Sequence, residues 1–106
     1  FICFEDADLA PLIEHAHRVG LYVLVSTDSV YMACDPDAFV RSAAGRLLET
    51  SDGVRHAGRA ASDAYGADKL QLERALRASP LRFVCLRLPD VLGAHENTGR
   101  YFPRQF

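Results

Sequence analysis

Apolar positions along the chain fall into two patterns. Three short runs are apolar almost without a break: FICF at 1–4, LYVLVS at 21–26 and RFVCLRL at 82–88. Continuous runs of β-forming residues suit strands covered on both faces, as in a parallel sheet. Between them, apolar residues recur at helical spacing. Leu9, Leu12, Ile13, Ala16 and Val19 mark one helix, with Asp8 as its N-cap and Gly20 as its stop. A stronger signal runs from about Ala64 to Ala78, rich in Ala, Leu, Glu and Arg and ended by Ser79-Pro80.

The stretch from 35 to 50 also reads as helix. Asp35 is placed to cap it, Pro36 stands at the first helical position, and Val40, Ala43, Ala44 and Leu47 share a face. Residues 51–63 are polar and Gly-containing, which predicts loop, and so does most of the sequence after Pro89. The predicted order is strand, helix, strand, helical insertion, helix, strand. Such alternation implies an α/β fold, a parallel sheet of about three strands joined by crossover helices. Three parallel strands leave edges unpaired, so the expectation is part of a doubly wound sheet, truncated at both ends. The whole of residues 1–106 is assigned to that one partial domain.

Composition narrows the classes further. Apolar residues make up 49% of the 106, charged residues 25%, and the net charge is −2, so nucleic-acid binding through bulk positive charge is not expected. The apolar runs stop far short of the roughly 20 residues of a membrane helix, and no signal-peptide layout opens the chain. Three cysteines without ligand spacing predict reduced thiols and a cytoplasmic setting. Cys3 and Cys85, both in apolar runs, read as core residues. His15 and His17 are two apart on a helix and do not face one another, so no metal site is predicted.

The chemistry concentrates at predicted strand ends. In an open parallel sheet ligands bind beyond the carboxyl ends of the strands. Ser26, Thr27, Asp28 and Ser29 lie at one such end, and Pro89 to Gly93 at another. Between them, Tyr65 and Lys69 are four apart at the start of a helix and share a face. A free phenol has a pKa of about 10 and is a poor base at neutral pH. A nearby ammonium favours the phenolate, which is the service expected of Lys69. Thr27 can hold a substrate oxygen while Tyr65 moves its proton. With a nicotinamide alongside, this is alcohol–carbonyl interconversion.

The motifs VSTDSVY (25–31), YGADK (65–69) and LRLPDVLGAH (86–95) resemble those of the extended short-chain dehydrogenase/reductases, the NAD-dependent epimerase/dehydratase family. The resemblance covers nearly the whole chain and implies strands four to six of a Rossmann-like domain. It implies that Thr27 is the catalytic Ser/Thr, Tyr65 the catalytic acid/base, and Lys69 the group that also holds the nicotinamide ribose of NAD or NADP. Pro89 falls where the family's backbone passes the nicotinamide. STDSVY is most similar to the STDEVY of nucleotide-sugar 4,6-dehydratases, where the Asp and Glu are acid and base. Asp28 is kept here as a catalytic candidate, and Ser29 replaces the Glu, which removes the base for elimination. Many sugar epimerases carry a phosphate-contacting Asn where Asp90 stands, and a carboxylate there repels a diphosphate. Asn97 and Arg100 lie where the family's substrate loop begins.

Two departures stand out. Thr27 and Tyr65 are 38 positions apart (65 − 27), longer than the family's usual spacing by roughly a dozen, which a helical insertion at 35–50 would explain. The glycine-rich dinucleotide fingerprint is absent from the sequence. The expectation is therefore an NAD(P)-dependent epimerase, dehydratase or related oxidoreductase acting on a sugar or nucleotide-sugar, represented by an inactive fragment. Its partners would be a small-molecule substrate and, through the family's helices, a second copy. The alternative is a non-catalytic binding or scaffold module, with RNA as a conceivable ligand. The joint presence of Thr27, Tyr65 and Lys69 favours the enzyme. Arg74 and Arg77, on the same helix, read as a solvated face salted by Glu73.

Overall fold

The computed structural model describes residues 5–48 and 54–91. Its centre is a parallel pair of strands, β1 (Tyr22–Thr27) and β2 (Phe83–Leu88), in register from Tyr22 beside Phe83 to Thr27 beside Leu88. Before β1 the chain forms a 3-10 turn (Asp6–Leu9), a short helix α1 (Ala10–Glu14) and a second 3-10 turn (Ala16–Arg18). After it come 3-10 turns at Asp28–Ala33 and Pro36–Ala38, then α2 (Ala57–Ser62) and α3 (Ala64–Arg77).

The helix read from Asp8 to Gly20 is thus three short pieces. Pro11 has no N–H to donate, so it fits only the first turn of a helix, and α1 starts afresh around it. The N-cap is Glu5 rather than Asp8. Asp8 instead reaches back, its Oδ2 accepting from the Glu5 N–H at 3.1 Å. The α geometry then lapses at His15, and this change of pitch brings the His15 and His17 rings to 6.5 Å, edge to face.

Helix α3 matches the expected span. Asp63 caps it, its Oδ1 accepting from the Gly66 N–H at 2.9 Å. Ser79 and Pro80 end it, with the Ser79 hydroxyl donating to the Leu76 carbonyl at 2.7 Å. The inward side of α3 feeds two cores. Leu72 and Leu76 pack with Leu9, Leu24 and Leu81, while Leu70 packs with Val30, Ala33, Cys34 and Ala60.

The expected doubly wound sheet of three strands is overturned among the described residues, which hold two parallel strands in one sheet. The strand expected at 1–4 lies outside the described residues. The inner sheet face, with Leu24 and Ser26 buried, meets α3. On the outer face Val23, Val25, Val84, Leu86 and Leu88 are 39–57% exposed. Their apolar character predicted cover on both sides, but no described segment covers that face.

The insertion helix at 35–50 is also overturned. Asp35 does cap a turn, its Oδ1 accepting from Asp37 N–H at 3.0 Å, yet only one 3-10 turn follows. Phe39 leaves the helical path to meet the Tyr31 ring edge-on at 5.6 Å, and the Arg41 guanidinium covers Phe39 at 5.7 Å. The chain then doubles back through Gly45, at φ +76°, to an antiparallel bridge between Arg41 and Leu47. Ring packing outweighs the weak local helix preference. Conversely, part of the predicted loop at 51–63 is α2, whose first turn is capped by the His56 Nδ1 accepting from Arg59 N–H at 3.3 Å.

Candidate active site

Strand β1 delivers Ser26 inward and Thr27 to its carboxyl end, where the chain turns at once into the 3-10 segment. The Thr27 hydroxyl fixes that turn. Its Oγ1 accepts from the Ser29 N–H at 3.2 Å and its proton has the Ser29 Oγ at 3.2 Å and the Asp28 Oδ1 at 3.5 Å as acceptors. Asp28 itself is exposed. One oxygen lone pair on Thr27 remains for another partner.

Against this corner lies the first turn of α3. Gly66 is buried, and a Cβ added there would sit 2.8 Å from the carbonyl carbon of Ser29 and closer still to its oxygen. Only a residue without a side chain lets the helix come so near. The first turn of α3, which holds Tyr65 and Gly66, is therefore packed directly against the Thr27–Ser29 corner. Tyr65 and Lys69 differ in exposure. The Lys69 side chain is enclosed at 7% exposure, whereas Tyr65 is 56% exposed.

Beneath the corner is a polar array that the sequence reading missed. Glu73, 3% exposed, accepts from the Ser26 hydroxyl at 2.7 Å. The Arg87 guanidinium grips the same carboxylate with Nε at 3.1 and 3.2 Å and Nη2 at 2.6 Å. Its carbon sits 4.8 Å from the centre of the Tyr31 ring. The hydrogen bonds it donates to Glu73 raise the Arg87 pKa above its already high value, burial opposing and Tyr31 assisting. Glu73 is thus not the partner of a solvated arginine face. Strand alternation carried the missed signal: Ser26 and Arg87 are polar at the inward positions of apolar strands, and Glu73 is one turn beyond Lys69 on the same face of α3.

Pro89 and Asp90 are exposed just beyond β2. Pro89 joins Tyr31, Leu47 and Cys85 to Leu88 in lining a cleft of about 510 Å³ along β2. That is ample for a nucleotide-sized ligand. Because Leu88 pairs with Thr27, the cleft adjoins the Thr27 corner, although neither Thr27, Tyr65 nor Lys69 lines it. A second cleft of about 500 Å³ is bounded by Arg55, Arg74 and Arg77. Asn97 and Arg100, the other substrate candidates, lie outside the described residues.

The thiols are quiet. Cys34 is buried, its Sγ donating to the Val30 carbonyl at 3.0 Å, and burial is the main cause of its raised pKa. Burial likewise leads in pushing Cys85 up to about 11, with Glu73 adding and Arg87 opposing. Among the described residues no three His, Cys, Asp or Glu side chains cluster as a metal site, and no helix is long and apolar enough to cross a membrane.

The described glycines, at 20, 45, 58 and 66, form no phosphate-cradling turn. The described residues thus offer no glycine-rich cradle for a dinucleotide's diphosphate. No protein-family model, curated protein or solved structure matches the chain.

Proposed function

We propose that the chain carries the proton-handling and nicotinamide-ribose side of an NAD(P)-dependent alcohol–carbonyl site of the extended short-chain dehydrogenase/reductase type. The observation that supports this most is the approach of Gly66 to the Ser29 carbonyl, which packs the YGADK turn onto the STDS corner at the carboxyl ends of two parallel strands. A bound nicotinamide supplies the hydride acceptor or donor. Thr27 accepts from the substrate hydroxyl through its remaining lone pair or, after rotation, donates its proton to the substrate oxygen. Tyr65, the exposed phenol of the turn, takes or returns the proton. Lys69 places a positive charge one helical turn away, where its ammonium holds ribose hydroxyls.

The substrate in this reading is a sugar or other polyol bearing a secondary alcohol. Ser29 in place of a carboxylate disfavours water elimination, and Asp90 disfavours a diphosphate beside β2. Nicotinamide mononucleotide is the direct probe, because it needs no diphosphate cradle. Titrated into the labelled protein, it is expected to shift the amide signals of Thr27, Ser29, Tyr65 and Lys69 with a Kd on the order of millimolar, and Lys69→Met should weaken it about tenfold, ~1.4 kcal/mol. Absence of shifts there, or shifts confined to the Arg55–Arg74–Arg77 cleft and reproduced by inorganic phosphate, would overturn the reading.

A further inference from the structure

We infer that Glu73 is a positioning residue: bonded at once to Ser26 on β1 and Arg87 on β2, it fixes the helix that carries Tyr65 and Lys69 against the strand end that carries Thr27. Its catalytic consequence rests on the reading just given, while its structural consequence does not. Ser26 immediately precedes Thr27 and is the register partner of Arg87, so one carboxylate spans both strands at the level of the site. Glu73 is four residues beyond Lys69 and eight beyond Tyr65, so all three fall on one stripe of α3. Arg87 carries the same tie to the Tyr31 ring, within the turn that Thr27 caps. Three segments thus meet at a single buried carboxylate, and Arg87 ties a fourth to it.

Burying a charge pair is an unusual choice for stability alone. The desolvation of two ions commonly cancels their attraction, and apolar residues of similar volume often serve as well or better. What the pair supplies is direction. Two N–H donors on a planar guanidinium and one hydroxyl set the carboxylate's position and orientation in a way that interchangeable methylenes do not. Leu72 and Leu76, on either side of Glu73, hold the helix to the sheet, and Glu73 sets its register along the strands.

Separating register from stability needs a variant that keeps one and loses the other. Glu73→Gln alone leaves Arg87 buried with a neutral partner and risks unfolding. The double variant Glu73→Met with Arg87→Met keeps volume and removes both charges, and Ser26→Ala removes only the hydroxyl bond. In the double variant the expected melting temperature is at or above that of the unaltered protein. The Ser29 and Gly66 amides should nevertheless exchange with deuterium about tenfold faster relative to the Leu76 amide, and in Ser26→Ala a few-fold faster, ~1 kcal/mol. A rate ratio that stays unchanged in both variants overturns the positioning role, because uniform loss of stability would move all the amides together. Nicotinamide mononucleotide then separates the two readings. If the unaltered protein binds it and the double variant does so about tenfold more weakly, the positioning reaches the site. If the unaltered protein does not bind it, the proposed function falls, and the exchange ratio alone decides Glu73. If both bind equally, positioning of the site is refuted while the proposed function stands.

Discussion

Replacing Gly66 by alanine sets two forces of known size against each other. In an exposed helix interior, Gly→Ala is stabilising by about 1 kcal/mol, since alanine loses less backbone entropy on folding. Here the new methyl would stand 2.8 Å from the Ser29 carbonyl carbon, against an ordinary contact of at least 3.4 Å, and it meets the oxygen sooner. Relief therefore demands that α3 and the Thr27–Ser29 corner separate by more than 0.6 Å (3.4 − 2.8). The opposing atoms are backbone held by the Thr27 cap, so no side chain can swing aside. Overpacking of this kind costs about 3 kcal/mol, the upper end of its usual range. The net expectation is a loss of about 2 kcal/mol, or a fall of roughly 10 °C in Tm for a chain of this length. Urea unfolding followed by circular dichroism reads it directly. An alanine variant as stable as the parent, or more so, would mean that helix and corner do not touch as described.

Three further outcomes follow from the same geometry. Iodoacetamide mapped by mass spectrometry should alkylate Cys85 with a half-maximal rate near pH 11 rather than 9.0. Folding holds this proton more tightly than the unfolded chain does, so the thiol's contribution to stability is full below pH 9 and lost as pH rises through about 11; a midpoint near 9 would contradict it. Leu72→Ala, at a fully buried position, should cost about 3 kcal/mol, whereas Val25→Thr on the open sheet face should change stability by less than about 0.5 kcal/mol; similar urea midpoints for the two would refute the assigned faces. Asp63→Ala should cost about 1 kcal/mol by removing the α3 cap, with Asp63→Asn recovering most of it in the same assay.

Elements whose signals were local and redundant were legible in the sequence. Helix α3 has a capping aspartate, high-propensity residues and a Ser-Pro stop that all agree, and β1 and β2 are dense in β-formers. The segment after Asp35 failed because Asp-Pro opens one turn or four with the same chemistry. What decides its length is the Tyr31 ring that draws Phe39 away, a contact no local window contains. Helix α2 was hidden by its histidine cap and its glycine. The outer sheet face misled because an apolar strand records which residues favour β geometry, not what covers them. Thr27, Tyr65 and Lys69 were singled out by their place on a strand end and a helix face, read together with the family resemblance. Ser26, Glu73 and Arg87 were not, because Glu73 was paired with its neighbours along the helix rather than with the inward positions of the strands beside it.

The proposed site gathers a threonine hydroxyl, a phenol and an ammonium beside one nicotinamide. Intermolecular nuclear Overhauser effects in the complex with nicotinamide mononucleotide test this most directly. Contacts from the nicotinamide ring protons to both the Thr27 methyl group and the Tyr65 ring are predicted. A saturated complex whose ring contacts fall instead on Val54 and Ala78, or on neither of the predicted side chains, would contradict it.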